Sequence, residues 1–182
     1  MRLFFAIELP SSVQAALGHL RPRSESADYR WVDPSLLHVT LVFLGEQPEE
    51  RLPRLEAIAT EAASACRQAS LRLGEAGAFG GRRAPRVLWV GLEGDIDALL
   101  DLQSRLDALL RQGVFDIEDR PFRPHITLAR RRERATGGAP PTWPPAQIQH
   151  AGFTMDRLTL FQSRLSPRGP TYIPLLHAPL RG

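Results

Sequence analysis

The 182-residue sequence predicts an α+β fold built mostly from antiparallel sheets. Strand and helix patterns alternate without the even rhythm of a doubly wound parallel sheet, and several strand candidates are separated by turns alone. A strand, a loop, a histidine-bearing strand and a helix also follow one another twice in broad outline. That points to a duplicated, two-lobed arrangement within one domain, 1–182. A chain of this length buries most of its apolar surface without covalent staples.

"RLFFAIELP", residues 2–10, is apolar and aromatic over the length of one strand, and its proline closes it. Ser11 is placed to cap a helix on which Val13, Ala16, Leu17 and Leu20 recur at helical spacing, with Pro22 ending it. The polar stretch "RPRSESADYRWVDPS" reads as a loop. It leads to a second strand, 36–46, whose alternation sets His38, Thr40 and Val42 on one face and Leu37, Val39, Leu41 and Phe43 on the other. Leu52, Leu55, Ala59 and Ala62 mark an amphipathic helix running to about Arg67. "SLRLGEAGAFGGRRAP" reads as a short strand and a glycine-rich turn, and 86–94 as another apolar strand. Ile96, Leu99, Leu100, Leu106, Leu109 and Leu110 define a helix closing near Gly113. Residues 122–129 form the next strand, followed by an exposed loop dense in arginine, glycine and proline. Two last strand candidates are "FTMDRLTLFQS" and "TYIPLLHA".

Composition narrows the function classes. One cysteine, Cys66, allows neither a disulfide framework nor a thiolate metal site, and it reads as a small buried hydrophobe. No apolar run approaches the roughly 18 residues of a membrane span. The N-terminus lacks a signal-peptide cleavage site and carries Glu8 in its apolar stretch, so a soluble, cytoplasmic protein with no membrane partner is expected. A monomer is expected from the small size and the lack of an apolar surface stripe. All 23 basic residues are arginine, for a formal net charge of +3. The planar guanidinium binds two phosphate oxygens at once, which keeps a phosphate-bearing partner in view.

The chemistry-bearing signal is a repeated tetrapeptide: "HVTL" at 38–41 and "HITL" at 125–128. In each strand the histidine and threonine share one face and the residue between them points to the other. If the strands lie together, two imidazoles and two hydroxyls meet in one small volume. One ring can then accept a proton from a nucleophile while the other gives one to a leaving group. A single histidine in an apolar strand is more often structural; two matching copies raise a shared site to equal standing with that reading. A metal set of His38 and His125 with Asp33 or Asp119 is the other chemical option, but threonine is a poor ligand and no clustered carboxylates accompany the pair, so no metal is expected. Arg130 lies five residues past His125, on the opposite face unless the chain turns at Ala129, whereas Arg123 lies on the same face. The arginines of 130–134 form either a solvated loop or a guide for an RNA backbone. Trp31, Phe43, Phe79 and Trp143 are candidates for stacking a base, with Phe43 assigned instead to the core. His19, His150 and His177 have no repeated context and are expected to be structural or on the surface.

With these motifs in view, the chain resembles the two-histidine (2H) phosphoesterases, and among them the bacterial and archaeal RNA 2′,3′-cyclic phosphodiesterases, also called 2′-5′ RNA ligases. The likeness runs through "RLFFAIELP", "RWVDPSLLHVTLVFLGE", "PFRPHITLAR" and "LFQSRLSPRGPTYIPL". It implies a bilobal α+β fold of two pseudo-symmetric, mostly antiparallel sheets flanked by helices around a central cleft. It also implies a phosphoric diester hydrolase that opens RNA 2′,3′-cyclic phosphate ends to 2′-phosphates without metal or cofactor, and that can join ends in reverse. By motif position, His38 (general acid) and His125 (general base) are catalytic, and Thr40, Thr127 and Arg130 hold the phosphate. Two readings compete: a 2H enzyme for a cyclic mononucleotide or an ADP-ribose cyclic phosphate, and a non-catalytic module that binds RNA ends.

Overall fold

The computed structural model describes residues 1–21, 28–81, 84–135, 143, 151–167 and 169–182. Among them the chain runs β1 (Arg2–Glu8), α1 (Ser11–Gly18), β2 (Tyr29–Trp31), β3 (His38–Glu46), α2 (Leu52–Ala65), β4 (Ala69–Gly81), β5 (Ala84–Gly94), α3 (Ile96–Gln112), β6 (His125–Arg131), β7 (Gly152–Met155), β8 (Arg157–Ser166) and β9 (Gly169–Pro179). The nine strands pair antiparallel in the order β7-β4-β5-β6-β3-β1-β8-β9, with β2 paired to β6. Two halves are evident. β1, β3, β8 and β9 form one, and β4, β5, β6 and β7 the other. They join where β3 meets β6 at the single pair Val39 and Ile126, both fully buried. Beyond that pair β3 leaves β6, and β2 takes up the vacated edge from Ala129 to Arg131.

All three helices cover the same face of the sheet. Val13 and Leu17 of α1, Leu55, Ile58 and Ala62 of α2, and Leu99, Leu102, Leu106 and Leu110 of α3 join one core with Leu3, Phe5, Ile7, Val39, Val90 and Ile126 from the strands. Burying each such aliphatic side chain contributes about 1.5–3 kcal/mol. Leu106→Ala is therefore expected to cost about 2–5 kcal/mol in denaturant unfolding while leaving the uncovered face of the sheet intact. A much smaller loss would mean that α3 does not close the core as tightly as its burial implies.

Several local expectations are corrected. Pro10, not Ser11, occupies the N-cap of α1, and no side chain caps it. The polar loop contains β2, held by pairing to β6 rather than by its own composition. The glycine-rich turn after residue 70 is instead the body of a 13-residue strand, β4, with a bulge between Leu73 and Ala76. β6 starts at His125 rather than at 122. "FTMDRLTLFQS" is two strands, because the chain breaks at Asp156. β7 then pairs with β4 in one half, and β8 with β1 in the other. The three prolines of β9 are tolerated because β9 is an edge strand. Most of the arginine- and proline-rich loop, His150 and the expected helix stop at Pro22 lie outside the described residues.

Candidate active site

The face left open by the helices carries both repeated motifs. Because Val39 pairs with Ile126, antiparallel register sets His38 beside Thr127 and Thr40 beside His125. The four residues make a quartet with the histidines at diagonal corners, positions whose backbones lie about 7–8 Å apart in a paired sheet. All four are half-buried, whereas Val39 and Ile126 face the core.

Each ring is held by the same local device. Nδ1 of His38 lies 2.7 Å from the Leu36 carbonyl, and Nδ1 of His125 lies 2.6 Å from the Arg123 carbonyl. A carbonyl only accepts, so Nδ1–H donates in both, and the unprotonated nitrogen of each neutral ring is Nε2. The Thr40 hydroxyl sits 2.9 Å from Nε2 of His38 and can donate to it. At His38 the placement of the carbonyl two residues upstream follows from extended backbone at Leu37, just before the strand, and His125 meets the Arg123 carbonyl at the same spacing.

The two motifs share a second feature, a β-bulge. In β3 the register slips so that Phe5 faces Val42 while Ala6 faces Thr40, and Leu41 is the extra residue. In β6, Trp89 faces Thr127 while Leu88 faces Ala129, and Leu128 is the extra residue. Leu41 and Leu128 both enter the core. Past each bulge the alternation is re-phased. Arg130 thus faces Val87, on the side shared by Trp89 and Thr127, and turns toward the histidines. Its charge acts on both rings. In β3 the same shift puts Val42 in the core and leaves Phe43 46% exposed, 5.8 Å from the Phe4 ring. The expected assignments of those two residues are reversed.

Aromatic rings wall both histidines. Phe4 and Tyr172 lie 5.0 and 5.2 Å from His38, and Phe79 and Trp89 lie 5.0 and 6.3 Å from His125. Tyr172, Phe4 and Trp89 carry no motif of their own in the sequence; the alternation Phe4-Ala6-Glu8, on the strand beside the first motif, is the one signal pointing to this wall. Trp31 and Trp143 pack on a core patch with Tyr29, Leu88 and Ala129, and the Trp143 indole donates to the Gly77 carbonyl at 2.7 Å. The two indoles also meet edge to face, with ring centroids 6.1 Å apart.

Burial lowers the pKa of both imidazoles, and the Arg130 charge lowers both further. His125 adds to the depression at His38, while the two Nδ1 hydrogen bonds partly oppose it. Trp89 reaches His125 only because Gly77, its partner across β4 and β5, has no side chain; a methyl group there would overlap the indole. Gly77→Ala is expected to displace Trp89, cost about 1–3 kcal/mol in thermal or denaturant unfolding, and loosen His125. Wild-type stability in that variant would show that the indole is not tightly seated.

Other candidates fall outside the quartet. The Asp33 carboxylate accepts from the Ser35 backbone and hydroxyl at 2.9 and 2.6 Å, and the exposed Asp119 pairs with Arg111. Among the described residues no group of three or more histidine, cysteine or acidic side chains is arranged to hold a metal ion. His177 is held by Thr159 and Glu8, at 3.1 and 3.5 Å. No helix among the described residues is long and apolar enough to cross a membrane.

Comparison with known proteins agrees with this architecture. An RNA 2′,3′-cyclic phosphodiesterase of Thermus thermophilus is 36% identical over all of this chain and 91% of its own. One of Escherichia coli is 32% identical over 96% of this chain and 93% of its own. A crystal structure of a Thermus thermophilus protein superposes with a TM-score of 0.84 at 35% identity, covering 100% and 99% of the two chains. Escherichia coli LigT, crystallised with 3′-AMP, superposes at 0.82 and 29% identity, covering 98% and 97%. The family model of the 2′-5′ RNA ligase superfamily matches residues 9–166, and the chain belongs to that superfamily.

Proposed function

We propose that this protein is an RNA 2′,3′-cyclic phosphodiesterase that hydrolyses 2′,3′-cyclic phosphate ends to 2′-phosphates. The observation that carries the reading is the quartet itself: two imidazoles at diagonal corners, each with Nε2 available, flanked by two hydroxyls and one guanidinium. Hydrolysis needs a base for the incoming water and an acid for the departing O3′, on opposite sides of phosphorus, and two diagonal rings meet that need. His125, whose ring is the more open, takes a proton from water at Nε2 as the water oxygen bonds to phosphorus. The P–O3′ bond breaks, and O3′ receives a proton from the protonated Nε2 of His38; the Thr40 hydroxyl, able to accept from that N–H before the transfer, donates to the bare Nε2 after it. Thr40, Thr127 and Arg130 hold the non-bridging oxygens as charge builds on them. No step calls for a metal. With a 5′-hydroxyl in place of water as the nucleophile, the same transfers join two ends through a 2′-5′ linkage. Residues 1–182 act as a single two-lobed domain, and its partner is an RNA end.

Hydrolysis in water enriched in oxygen-18 tests the reading. The expected product is a 2′-monophosphate carrying one labelled oxygen; a 3′-phosphate, or no turnover of a cyclic-phosphate RNA, would overturn it.

A further inference from the structure

Arg30 of β2 and Arg130 of β6 stand directly opposite each other, so their side chains share the open face. Both are exposed. Like charges in direct register weaken a sheet, and the arginine–carboxylate pairs found among the described residues are made by Arg67, Arg72, Arg105, Arg111, Arg120 and Arg157 rather than by Arg30 or Arg130. An anion between or beside them would relieve that repulsion. Arg30 also reaches out of its own half of the sheet. A side chain at Gly169, the first residue of β9, would meet Nη2 of Arg30 at 2.7 Å, and Gly169 has a φ of 127° that favours glycine in any case. The guanidinium therefore bridges the mouth between the two halves.

Three residues further along β9, Tyr172 touches His38 edge-on. Burial pushes the Tyr172 hydroxyl pKa up, and the charges of Arg130, Arg2 and Arg30 all pull it back. Tyr172 thus lies between His38, which its ring touches, and the outer guanidiniums of Arg30 and Arg2, with Arg130 of the site acting on it as well. One cyclic phosphodiester carries one negative charge, and Arg130 with the threonines suffices for it. Arg30 lies about one strand spacing farther out, on the scale of one nucleotide step.

We propose that Arg30, with the Tyr172 hydroxyl, forms a second phosphate subsite that holds the phosphodiester 5′ to the terminal nucleotide and so selects an RNA chain over a free cyclic mononucleotide. This rests on the cyclic-phosphodiesterase reading above. Arg2 supplies outer positive charge to the same strand of phosphates.

The test compares a dinucleotide ending in a 2′,3′-cyclic phosphate with the corresponding cyclic mononucleotide, using the wild type, Arg30→Gln and Arg30→Lys. A preference of about tenfold or more for the dinucleotide in kcat/KM is expected in the wild type, from one charge-assisted contact. Arg30→Gln is expected to lose about tenfold on the dinucleotide, chiefly through KM, and a several-fold smaller factor on the mononucleotide, with Arg30→Lys between. Its dinucleotide salt slope should become shallower by about 0.7, the share of one single-strand phosphate contact. Equal losses on both substrates, or no wild-type preference, would overturn the subsite while leaving the activity standing. Turnover of neither substrate by the wild type would overturn both. Thermal melting of the variants guards against a folding defect at this exposed position.

Discussion

His38→Ala and His125→Ala are each expected to lower kcat by about 10²–10⁴, the usual yield of a positioned acid or base. Neither substitution should unfold the protein. Both rings sit on the face the helices leave bare, and the core beneath is made by Val39 and Ile126. Their removal should even flatten one stability loss. Because the folded protein holds both pKa values below the ordinary 6.5, the unfolded chain takes up protons first as pH falls. Stability is thus fully present above about pH 6.5 and declines as pH drops through that value toward the folded pKa. Melting scans of wild type and variants across pH 5–8 check this. A variant with most of its turnover and a collapsed melting temperature would mark that histidine as structural.

The second large effect concerns pH and Arg130. For free enzyme, the competent form carries one proton shared between the two imidazoles. kcat/KM should follow a bell whose limbs are their pKa values. Burial and the Arg130 charge lower both, so the optimum is expected on the acid side of about 6.5. An anionic phosphate in the quartet favours the imidazolium, so the kcat profile should lie at higher pH than that of kcat/KM. Arg130→Gln removes a positive charge felt by both rings. It should lower kcat/KM by about tenfold or more and also shift the remaining bell toward alkaline pH. A lowered but unshifted profile would place Arg130 away from the rings. Unchanged kinetics would remove it from the site.

What the sequence reveals and what it hides divides along physical lines. The tetrapeptide repeat is a local pattern, and period-two alternation alone sets histidine and threonine on one face, so the centre of the quartet is legible without coordinates. The bulges at Leu41 and Leu128 are not. A bulge is a relation between two strands, and nothing in "HVTLVF" or "HITLAR" marks which residue will go unpaired. That one hidden slip explains why simple alternation sent Phe43 to the core and Arg130 to the wrong face. The split at Asp156 is hidden for a related reason. The segment is apolar on both sides of it, and only the separate partners of β7 and β8 reveal two strands. β2 owes its existence to the edge that β3 abandons, and its Arg30 is meaningful only through the register with Arg130. Gly77 reads as a turn residue, whereas its role is to let an indole lie flat across a strand.

The central claim is that two imidazoles act as one unit on a cyclic phosphate. The most direct measurement is turnover of a short RNA ending in a 2′,3′-cyclic phosphate, in excess EDTA, by the wild type, both single alanine variants and the double variant. Groups that act together lose nearly everything when either is removed. Rapid conversion by the wild type, with each single variant about as slow as the double, is the expected result. Substantial turnover by the double variant, or wild-type activity that vanishes in EDTA and returns with added metal, would contradict the account.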